Sequence, residues 1–278
     1  MSRGITIGQY LPGNTLVHRM DPRAKLLSLF VFIAGIFTVP GFPGLLLFLG
    51  IVFFLLTTAS IPYGQMLRGL RPILFIVLLT LLLHVFFTDG GVVYWRAVLF
   101  HVELGTPGSI AWEVTVESDG VYLGAFTALR LVTLIFYTML ITLTTTPLDL
   151  TSALEFFLRP LYRLRVPVSE MTVIVMIALR FIPTLMEESN RIVKAQMARG
   201  ANFQKGNILR RARSLVPVMV PLFVSAFRRA EDLATAMEAR CFRPGASRTS
   251  YRRYRAVTRD YLAVAFSVVL VITAFVFS

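Results

Sequence analysis

The sequence predicts an all-α integral membrane protein with about five transmembrane helices and a cytoplasmic module of about three helices. Hydrophobic residues make up 56% of the 278 residues and charged residues only 15%, whereas soluble domains are about 25% charged. The apolar residues fall in long runs, and many of the charged residues lie in the segment 147–257. This distribution is typical of a membrane-embedded base joined to a polar unit.

Five apolar runs are candidate membrane helices. The first follows Asp21-Pro22, which reads as a helix cap and first helical position, and it reaches Val39 before Pro40 to Gly44 interrupt it. Eighteen residues of helix span about 27 Å, close to the lower limit for crossing a bilayer. A polar turn with Arg68 and Arg71 precedes the third run. The five runs are 22–39, 45–61, 73–87, 121–143 and 261–277.

The segment 89–120 has a different character from the apolar runs on either side. Glycine and proline alternate there with short β-branched and aromatic stretches. This composition predicts an extracytoplasmic loop with room for a short hairpin.

The positions of Lys and Arg predict the orientation of the chain. Nineteen basic residues against eight acidic ones lie in 147–257, and Arg68, Arg71 and the basic residues before Leu26 fall on the same side if the spans alternate. Membrane proteins retain Lys and Arg in the cytoplasm. The amino terminus and 147–257 are therefore predicted to be cytoplasmic and the carboxyl terminus external. No cleavage pattern indicates a removable signal peptide.

These observations predict three regions. Residues 1–146 hold the first four spans and the loop 89–120, residues 147–257 form the cytoplasmic helices, and residues 258–278 form the last span. The net charge of +13 is explained by cytoplasmic Lys and Arg, so the composition does not indicate nucleic-acid binding.

The segment 147–257 is too long for a simple connection and predicts three helices. The first starts at Thr146-Pro147, with Thr146 as cap. The second starts near Ser169, with a bend at Pro183. The third covers about 207–240, with apolar residues three and four apart and kinks at its two prolines.

The second and third of these helices end in a similar way, 41 residues apart. A small Ala lets another surface approach closely, an Arg in the last turn complements the helix dipole and offers five donors, and Gly supplies a left-handed cap. Either end alone is common, but the repetition predicts a paired docking surface for two similar partners. The six residues are Ala198, Arg199, Gly200, Ala239, Arg240 and Cys241.

Cys241 stands where the first of these ends has Gly200. Because a left-handed conformation is costlier for Cys than for Gly, the third helix is expected to end differently from the second. Cys241 is also the only cysteine, which excludes an internal disulfide and a C-x-x-C pair.

No motif for catalysis, cofactor binding or metal binding is present in the sequence. It contains no Walker A loop, no G-x-S-x-G and no H-E-x-x-H, and its three histidines lack ligand spacing. We therefore expect no enzyme activity, no cofactor and no metal. Arg130, inside the fourth run, has two interpretations: a functional intramembrane charge, or a structural side chain paired within the bundle, which we favour.

Six stretches spread over nearly the whole chain match one known pattern. They are 7–10, 18–25, 179–183, 194–201, 227–230 and 236–240. Together they resemble the EcfT family, the T components of energy-coupling factor ABC transporters, which are related to the cobalt-transport protein CbiQ. The opening is more similar to the branch that serves many vitamin-binding subunits than to the dedicated cobalt branch.

This resemblance implies a coupling scaffold without catalysis, in the plasma membrane of a prokaryote, for uptake of a vitamin or a metal ion. Two coupling helices would insert their ends into two cytoplasmic ABC ATPases of the EcfA and EcfA′ type, which hydrolyse ATP. Their apolar length would hold a membrane-embedded substrate-binding S component. By position, the six residues above would bind the ATPases. The candidate residues for the S component are Val216, Met219, Val220, Phe223 and Phe227.

Other interpretations make different demands on the sequence. A T component of a dedicated cobalt or nickel importer would share the same architecture. A self-sufficient secondary carrier would have internal repeats and broken spans with polar residues near the midplane. A membrane-embedded enzyme would have clustered acidic, His or Ser residues at one membrane face. The spans here are nearly uncharged, which favours the coupling scaffold.

The asymmetry at Cys241 suggests two non-identical ATPase grooves.

Overall fold

A computed structural model describes residues 10–103, 109–201, 203, 208–243, 245 and 257–277. Within these residues the chain forms eight α-helices, a 3-10 helix and one two-stranded sheet, which confirms the all-α membrane class. Residues 7–9 of the first matching stretch, and residue 207 at the expected start of the third cytoplasmic helix, lie outside the described residues.

The described residues divide into two compact units. The first, which we call the membrane unit, falls in Gly8–Thr146 and Tyr254–Ser278, and the second, the helical unit, in Pro147–Arg253. The membrane unit contains α1 (Pro22–Thr38), α2 (Phe42–Thr58), α3 (Tyr63–Phe87), β1 (Val93–Glu103), β2 (Ser109–Glu117), α4 (Ser118–Thr144) and α8 (Thr258–Val276). The helical unit contains α5 (Pro147–Leu158), the 3-10 helix (Arg159–Leu164), α6 (Val168–Ala198) and α7 (Ile208–Ala239).

Four described helices, α3, α4, α6 and α8, are long and apolar enough to cross a membrane. The helices α1 and α2 have 17 residues each, which gives a length of about 26 Å. The chain is therefore a multi-pass membrane protein. Its five predicted runs correspond to α1, α2, α3, α4 and α8, while α6 lies in the segment expected to be cytoplasmic.

The start of α3 differs from the prediction. Arg68 and Arg71 do not form a connecting turn, because α3 begins at Tyr63 and passes through Pro72. The Nε–H of Arg68 donates to the carbonyl oxygen of Gly64 at 3.0 Å, within the helix. The expectation was wrong because Gln, Met, Leu and Arg are good helix formers, and their polarity does not end a helix.

The core of the membrane unit lies where α1 packs against α2, α4 and α8. Phe32 of α1 stacks on Tyr137 of α4, with ring centroids 3.9 Å apart, and meets Phe48 of α2 edge-on at 4.8 Å. At Gly35 a Cβ atom would lie 2.2 Å from Cγ2 of Val271. Glycine at this position is therefore what allows α1 and α8 to approach closely.

A second close approach joins α3 to α4. A Cβ atom at Gly120 would lie 2.7 Å from the carbonyl oxygen of His84, and one at Gly124 would lie 3.1 Å from that of Leu81. This Gly-x-x-x-Gly spacing brings two helix backbones together, as it commonly does in membranes. The large apolar side chains on the rest of α3 are mostly exposed, as expected of a surface that faces lipid.

The segment 89–120 contains the hairpin for which the sequence left room, and the hairpin is longer than expected. The strands β1 and β2 have 11 and 9 residues and pair antiparallel, from Val93 opposite Glu117 to Glu103 opposite Ser109. The connection at 104–108 lies outside the described residues.

The starts of α1 and α8 share one buried carboxylate. Asp21 caps α1 as predicted, since its Oδ1 accepts from the N–H of Arg23 at 2.9 Å. The Oδ1 of Asp260 accepts from the N–H of Asp21 at 2.9 Å, and its Oδ2 accepts from the N–H of Val257 at 2.8 Å. Asp260 thus satisfies amide groups at the amino ends of two helices, where a negative charge is favourable.

Arg130 has protein partners inside the membrane unit. Its guanidinium donates to the carbonyl oxygen of Val39, at the end of α1, at 3.3 Å. It also lies over the rings of Phe126 and Phe37, 4.5 Å and 5.4 Å from their centroids. These contacts support the structural interpretation of this arginine.

The two histidines whose side chains are described both contact main-chain groups. Nε2 of His18 lies 3.1 Å from the carbonyl oxygen of Leu11, Nδ1 of His18 lies 2.7 Å from Oγ1 of Thr15, and Nδ1 of His84 lies 2.8 Å from the carbonyl oxygen of Thr80. Partial burial lowers the pKa of His18. Among the described residues, no group of three His, Cys, Asp or Glu side chains is placed to hold a metal ion.

Candidate docking site on the helical unit

The helices α6 and α7 lie antiparallel and contact each other between the level of Gln196 with Pro217 and that of Ile177 with Met237. Each runs through its internal prolines without interruption, including Pro183 at the expected bend. Three contacts show the antiparallel direction, because the residue numbers on α6 decrease as those on α7 and in the segment after it increase. They are Gln196 Nε2 to the Pro217 carbonyl oxygen at 3.4 Å, the ion pair of Arg229 with Glu188, and the Gly245 N–H to Glu170 Oε1 at 2.9 Å.

The ion pair lies midway between the two predicted docking ends. Arg199 follows Glu188 by eleven residues on α6, and Arg240 follows Arg229 by eleven residues on α7. Since the helices run in opposite directions, the two ends lie on opposite sides of the ion pair. Twenty-two residues of helix separate them by about 33 Å along the pair. The two ends therefore cannot share one small site, and each faces its own surroundings.

The carboxyl end of α6 is a Schellman motif. The N–H of Ala201 donates to the carbonyl oxygen of Gln196 at 3.0 Å, and the N–H of Gly200 donates to that of Met197 at 3.0 Å. Gly200 takes the left-handed conformation that this motif requires, with φ of +88°. Arg199 occupies the C-cap position, and its side chain is exposed.

The carboxyl end of α7 has the same motif, although its left-handed residue is Cys241. The N–H of Phe242 donates to the carbonyl oxygen of Met237 at 3.0 Å, and the N–H of Cys241 donates to that of Glu238 at 2.9 Å. The φ of Cys241 is +59°. The expectation that this helix ends differently is wrong. The two bonds satisfy carbonyl groups that would otherwise lack helical partners, which offsets the cost of the conformation.

All six predicted docking residues are exposed on the chain. At Gly200 an added Cβ atom would meet no other described atom within 4 Å. Each end therefore presents a small residue, a guanidinium and a left-handed turn on an open surface.

The predicted S-component residues form an exposed apolar stripe in the middle of α7, from Val216 to Phe227. Phe227 is the most exposed of them at 72%, and its ring stacks on that of Phe223 with centroids 6.5 Å apart. The structure adds Leu215 and Val224, which are also exposed. Sequence periodicity missed these two because they flank the stripe.

An apolar groove between α6 and α7 was not recognised from the sequence. The signal that could have revealed it is the spacing of Ala226, Ala230 and Ala234, which places three small side chains on one helix face. Its volume is about 300 Å³. It is lined by Ile177, Phe181, Leu185, Ala226, Arg229, Ala230, Leu233, Ala234 and Met237.

The pairing of α6 with α7 argues against a membrane crossing by α6. The second half of α7 packs beside the apolar first half of α6, and it carries Arg228, Arg229, Glu231, Asp232 and Glu238. A crossing would bring these charges into the bilayer at about 2.5 to 3.5 kcal/mol for each exposed one near its centre. By length and composition α6 could cross a membrane, whereas the charged side chains of the helix beside it would make that crossing costly.

The architecture defines a class of protein: a multi-pass membrane protein with a unit of amphipathic helices, two of which end in the same backbone motif with an arginine at the C-cap position. Residues 13–251 match the family model described as Cobalt transport protein, CbiQ. The chain therefore belongs to the CbiQ/EcfT family, as the six matching stretches predicted.

Curated relatives of this family align over almost the full length of the chain. Three are named energy-coupling factor transporter transmembrane protein EcfT. The relative from Thermosediminibacter oceani is 46% identical over 261 residues, covering 94% of this chain and 93% of the relative. That from Clostridium kluyveri is 41% identical over 272 residues, covering 98% and 96%. That from Bacillus subtilis is 42% identical over 274 residues, covering 97% of each.

Proposed function

We propose that the chain is the coupling scaffold of an energy-coupling factor importer. It transmits the ATP-driven motion of two cytoplasmic ATPases to a membrane-embedded S component that binds the substrate. The observation that carries this proposal is the symmetric placement of two helix ends with the same backbone motif, eleven residues on either side of the Arg229–Glu188 ion pair.

Two matched ends on an antiparallel helix pair fit two similar partners. An antiparallel pair has a local two-fold relation, so each end can offer the same arrangement to one of two related surfaces. Arg199 and Arg240 would each place a guanidinium fork in a groove of one ATPase, the EcfA-like or the EcfA′-like subunit. Motion of the ATPases relative to each other would then shift both helices.

The apolar stripe on α7 supports a second partner of different chemistry. Its exposed Phe, Val and Met side chains suit an apolar helix surface such as that of a membrane-embedded S component. ATP hydrolysis would belong to the ATPases, because the sequence has no Walker A loop. The amino terminus and the helical unit would be cytoplasmic.

The substrate favoured by the opening stretch, 7–10 with 18–25, is a vitamin. A metal ion is the second candidate, since the matching family model is described as Cobalt transport protein. Purification of the tagged complex from its native membrane, followed by identification of its S components, would distinguish the two.

The double variant Arg199→Ala with Arg240→Ala tests the role of the helix ends. We expect it to remain in the membrane and to lose ATPase co-purification and ATP-driven uptake, because both guanidinium forks are removed. Arg191→Ala with Arg228→Ala is the matched control, since it removes the same charge from exposed sites on the same helices. Full uptake and intact ATPase co-purification in the double variant would contradict the proposal.

A second variant tests the division between the two surfaces. Phe223→Ala with Phe227→Ala is expected to weaken S-component co-purification more than ATPase co-purification, because it trims only the apolar stripe. Leu154→Ala with Leu164→Ala removes exposed apolar side chains elsewhere on the same unit and serves as control. Equal loss of both partners in the Phe variant would contradict the division.

A further inference from the structure

Lys25 is buried in the membrane unit and binds the carboxyl end of α4. Only 3% of the residue is exposed. Its ammonium group donates to the carbonyl oxygen of Thr144 at 2.9 Å and to Oγ1 of Thr145 at 3.2 Å, and Oγ1 of Thr144 lies at 3.5 Å. The last carbonyl groups of a helix lack helical partners and carry the negative end of the dipole. Lys25 therefore supplies both a donor and a complementary charge there.

A residue before α1 also binds the carboxyl end of α4, at Leu143, the residue before Thr144. The N–H of Leu11 donates to the carbonyl oxygen of Leu143 at 2.9 Å. Two consecutive carbonyl groups, at 143 and 144, are thus fixed by groups that are distant in sequence. The end of α4 is held by side-chain and main-chain contacts together.

The chain leaves the membrane unit immediately after this contact. Thr146 is the last residue of that part of the membrane unit, and Pro147 begins both the helical unit and α5. Proline restricts the backbone of the residue before it, so Thr146 has little freedom of its own. The backbone that leads into α5 is therefore held on its membrane-unit side at Leu143, Thr144 and Thr145.

We propose that Lys25 is a positioning residue that fixes this exit point and thereby makes motion of the helical unit act on the membrane unit. The inference rests on the coupling function proposed above. If stability alone were required, an apolar residue of similar volume would serve as well as a buried charge. The ammonium group instead gives three directed donors, which fix the position of the last residues of α4.

Four variants separate positioning from simple stabilisation. Lys25→Met keeps the length of the side chain and removes the donors, and Lys25→Arg keeps a charged donor. Thr145→Val is a milder change that removes one acceptor and keeps the shape. Ser28→Ala is the matched control, because Ser28 is buried on the same helix three residues away, where its hydroxyl bonds the Lys25 carbonyl and the Tyr137 hydroxyl and not the end of α4.

The first measurement needs only the full chain in lipid nanodiscs. Spin labels are attached to the native Cys241, on the helical unit, and to Thr57→Cys, an exposed site on α2. We expect the distribution of label distances to be broader than that of the unmodified chain in Lys25→Met and Thr145→Val, and to match that of the unmodified chain in Ser28→Ala and Lys25→Arg. Unchanged widths in both Lys25→Met and Thr145→Val, or equal broadening in Ser28→Ala, would overturn the inference.

The second measurement uses the complete complex in proteoliposomes and records uptake per ATP hydrolysed. A coupling between two sites is commonly worth at least about fivefold, and we expect Lys25→Met to lower the ratio by this factor or more while complex assembly persists. Lys25→Arg should restore the ratio. A loss that only follows the amount of assembled complex would show that Lys25 merely stabilises the fold. Absence of ATP-driven uptake by the unmodified complex would refute the coupling function and leave the distance test valid.

Discussion

At Cys241 the backbone adopts a conformation that residues other than Gly, Asn and Asp seldom take. Its φ of +59° places it in the left-handed region, at a cost of roughly 1 to 2 kcal/mol for an ordinary side chain. The conformation persists because the N–H groups of Cys241 and Phe242 bond the last turn of α7. The two helix ends therefore have equivalent backbones and differ in one side chain.

Reciprocal substitutions at the two ends test this equivalence. Cys241→Gly should stabilise the end of α7 by roughly 0.5 to 1 kcal/mol, because the left-handed cost disappears while Gly adds chain entropy. Gly200→Ala should destabilise the end of α6 by about 1 to 2 kcal/mol, although space is open there. Hydrogen exchange of the amides at 200–201 and 241–242 measures both changes. Faster exchange at 241–242 in Cys241→Gly, or slower exchange at 200–201 in Gly200→Ala, would contradict the assignment of the motif.

The same Cys241→Gly variant tests whether the side chain selects between two ATPases. If the two grooves differ and read this residue, the variant should change which ATPase co-purifies with the chain. An unchanged preference would refute the asymmetry hypothesis.

Single residues were predictable where the deciding contacts are local. The cap at Asp21 depends on a bond to Arg23, two residues away, and the sequence shows both. The Cys241 conformation depends on a balance between a backbone cost and two hydrogen bonds, which residue type alone does not reveal. Arg130 could be assigned two roles from its position, and only its packing against Phe37 and Phe126 favours one of them.

At the scale of elements, the sequence revealed the 41-residue repeat but not its geometry. The separation of Arg199 from Arg240 equals that of Glu188 from Arg229, and the second pair is an ion pair between the helices. Periodicity indicates which face of a helix is apolar, but it does not indicate which levels of two helices meet. The antiparallel pairing therefore had to come from the structure.

The contact of α3 with α4 depends on glycine in a way that a matched pair of variants can test. Gly120→Ala should destabilise the membrane unit by about 1 to 3 kcal/mol, because the new Cβ would meet the carbonyl oxygens of His84 and Thr88. Gly50→Ala, within α2, has no described atom within 4 Å of the new Cβ and should be neutral or stabilising by up to about 1 kcal/mol. Thermal unfolding in detergent compares the two, and equal Tm shifts would contradict the close approach.

For the whole molecule, composition and the distribution of Lys and Arg were sufficient to predict a multi-pass membrane protein. They were not sufficient to decide which apolar helices cross the membrane. The helix α6 is as long and as apolar as a membrane span, while α1 and α2 have only 17 residues each. The decision depends on what each helix packs against. The charged second half of α7 accompanies α6, whereas α1 and α2 are buried against apolar neighbours.

Labelling with a membrane-impermeant maleimide tests the resulting five-span arrangement. Three chains with one cysteine each are compared in inside-out and right-side-out vesicles: the unmodified chain with Cys241, Ala198→Cys with Cys241→Ser, and Val92→Cys with Cys241→Ser. All three sites are exposed. The first two should react only from the cytoplasmic side and the third only from outside, if the helix ends are cytoplasmic and the hairpin base is extracytoplasmic, as the distribution of Lys and Arg predicts.

Detergent-solubilised protein is the control for reactivity, since all three cysteines should then be labelled. Labelling of Ala198→Cys from outside would mean that α6 crosses the membrane and carries its arginine end away from any cytoplasmic partner. That outcome would overturn both the five-span arrangement and the assignment of Arg199 to an ATPase. Labelling of the two helix ends from the same side is what a scaffold for two cytoplasmic ATPases requires.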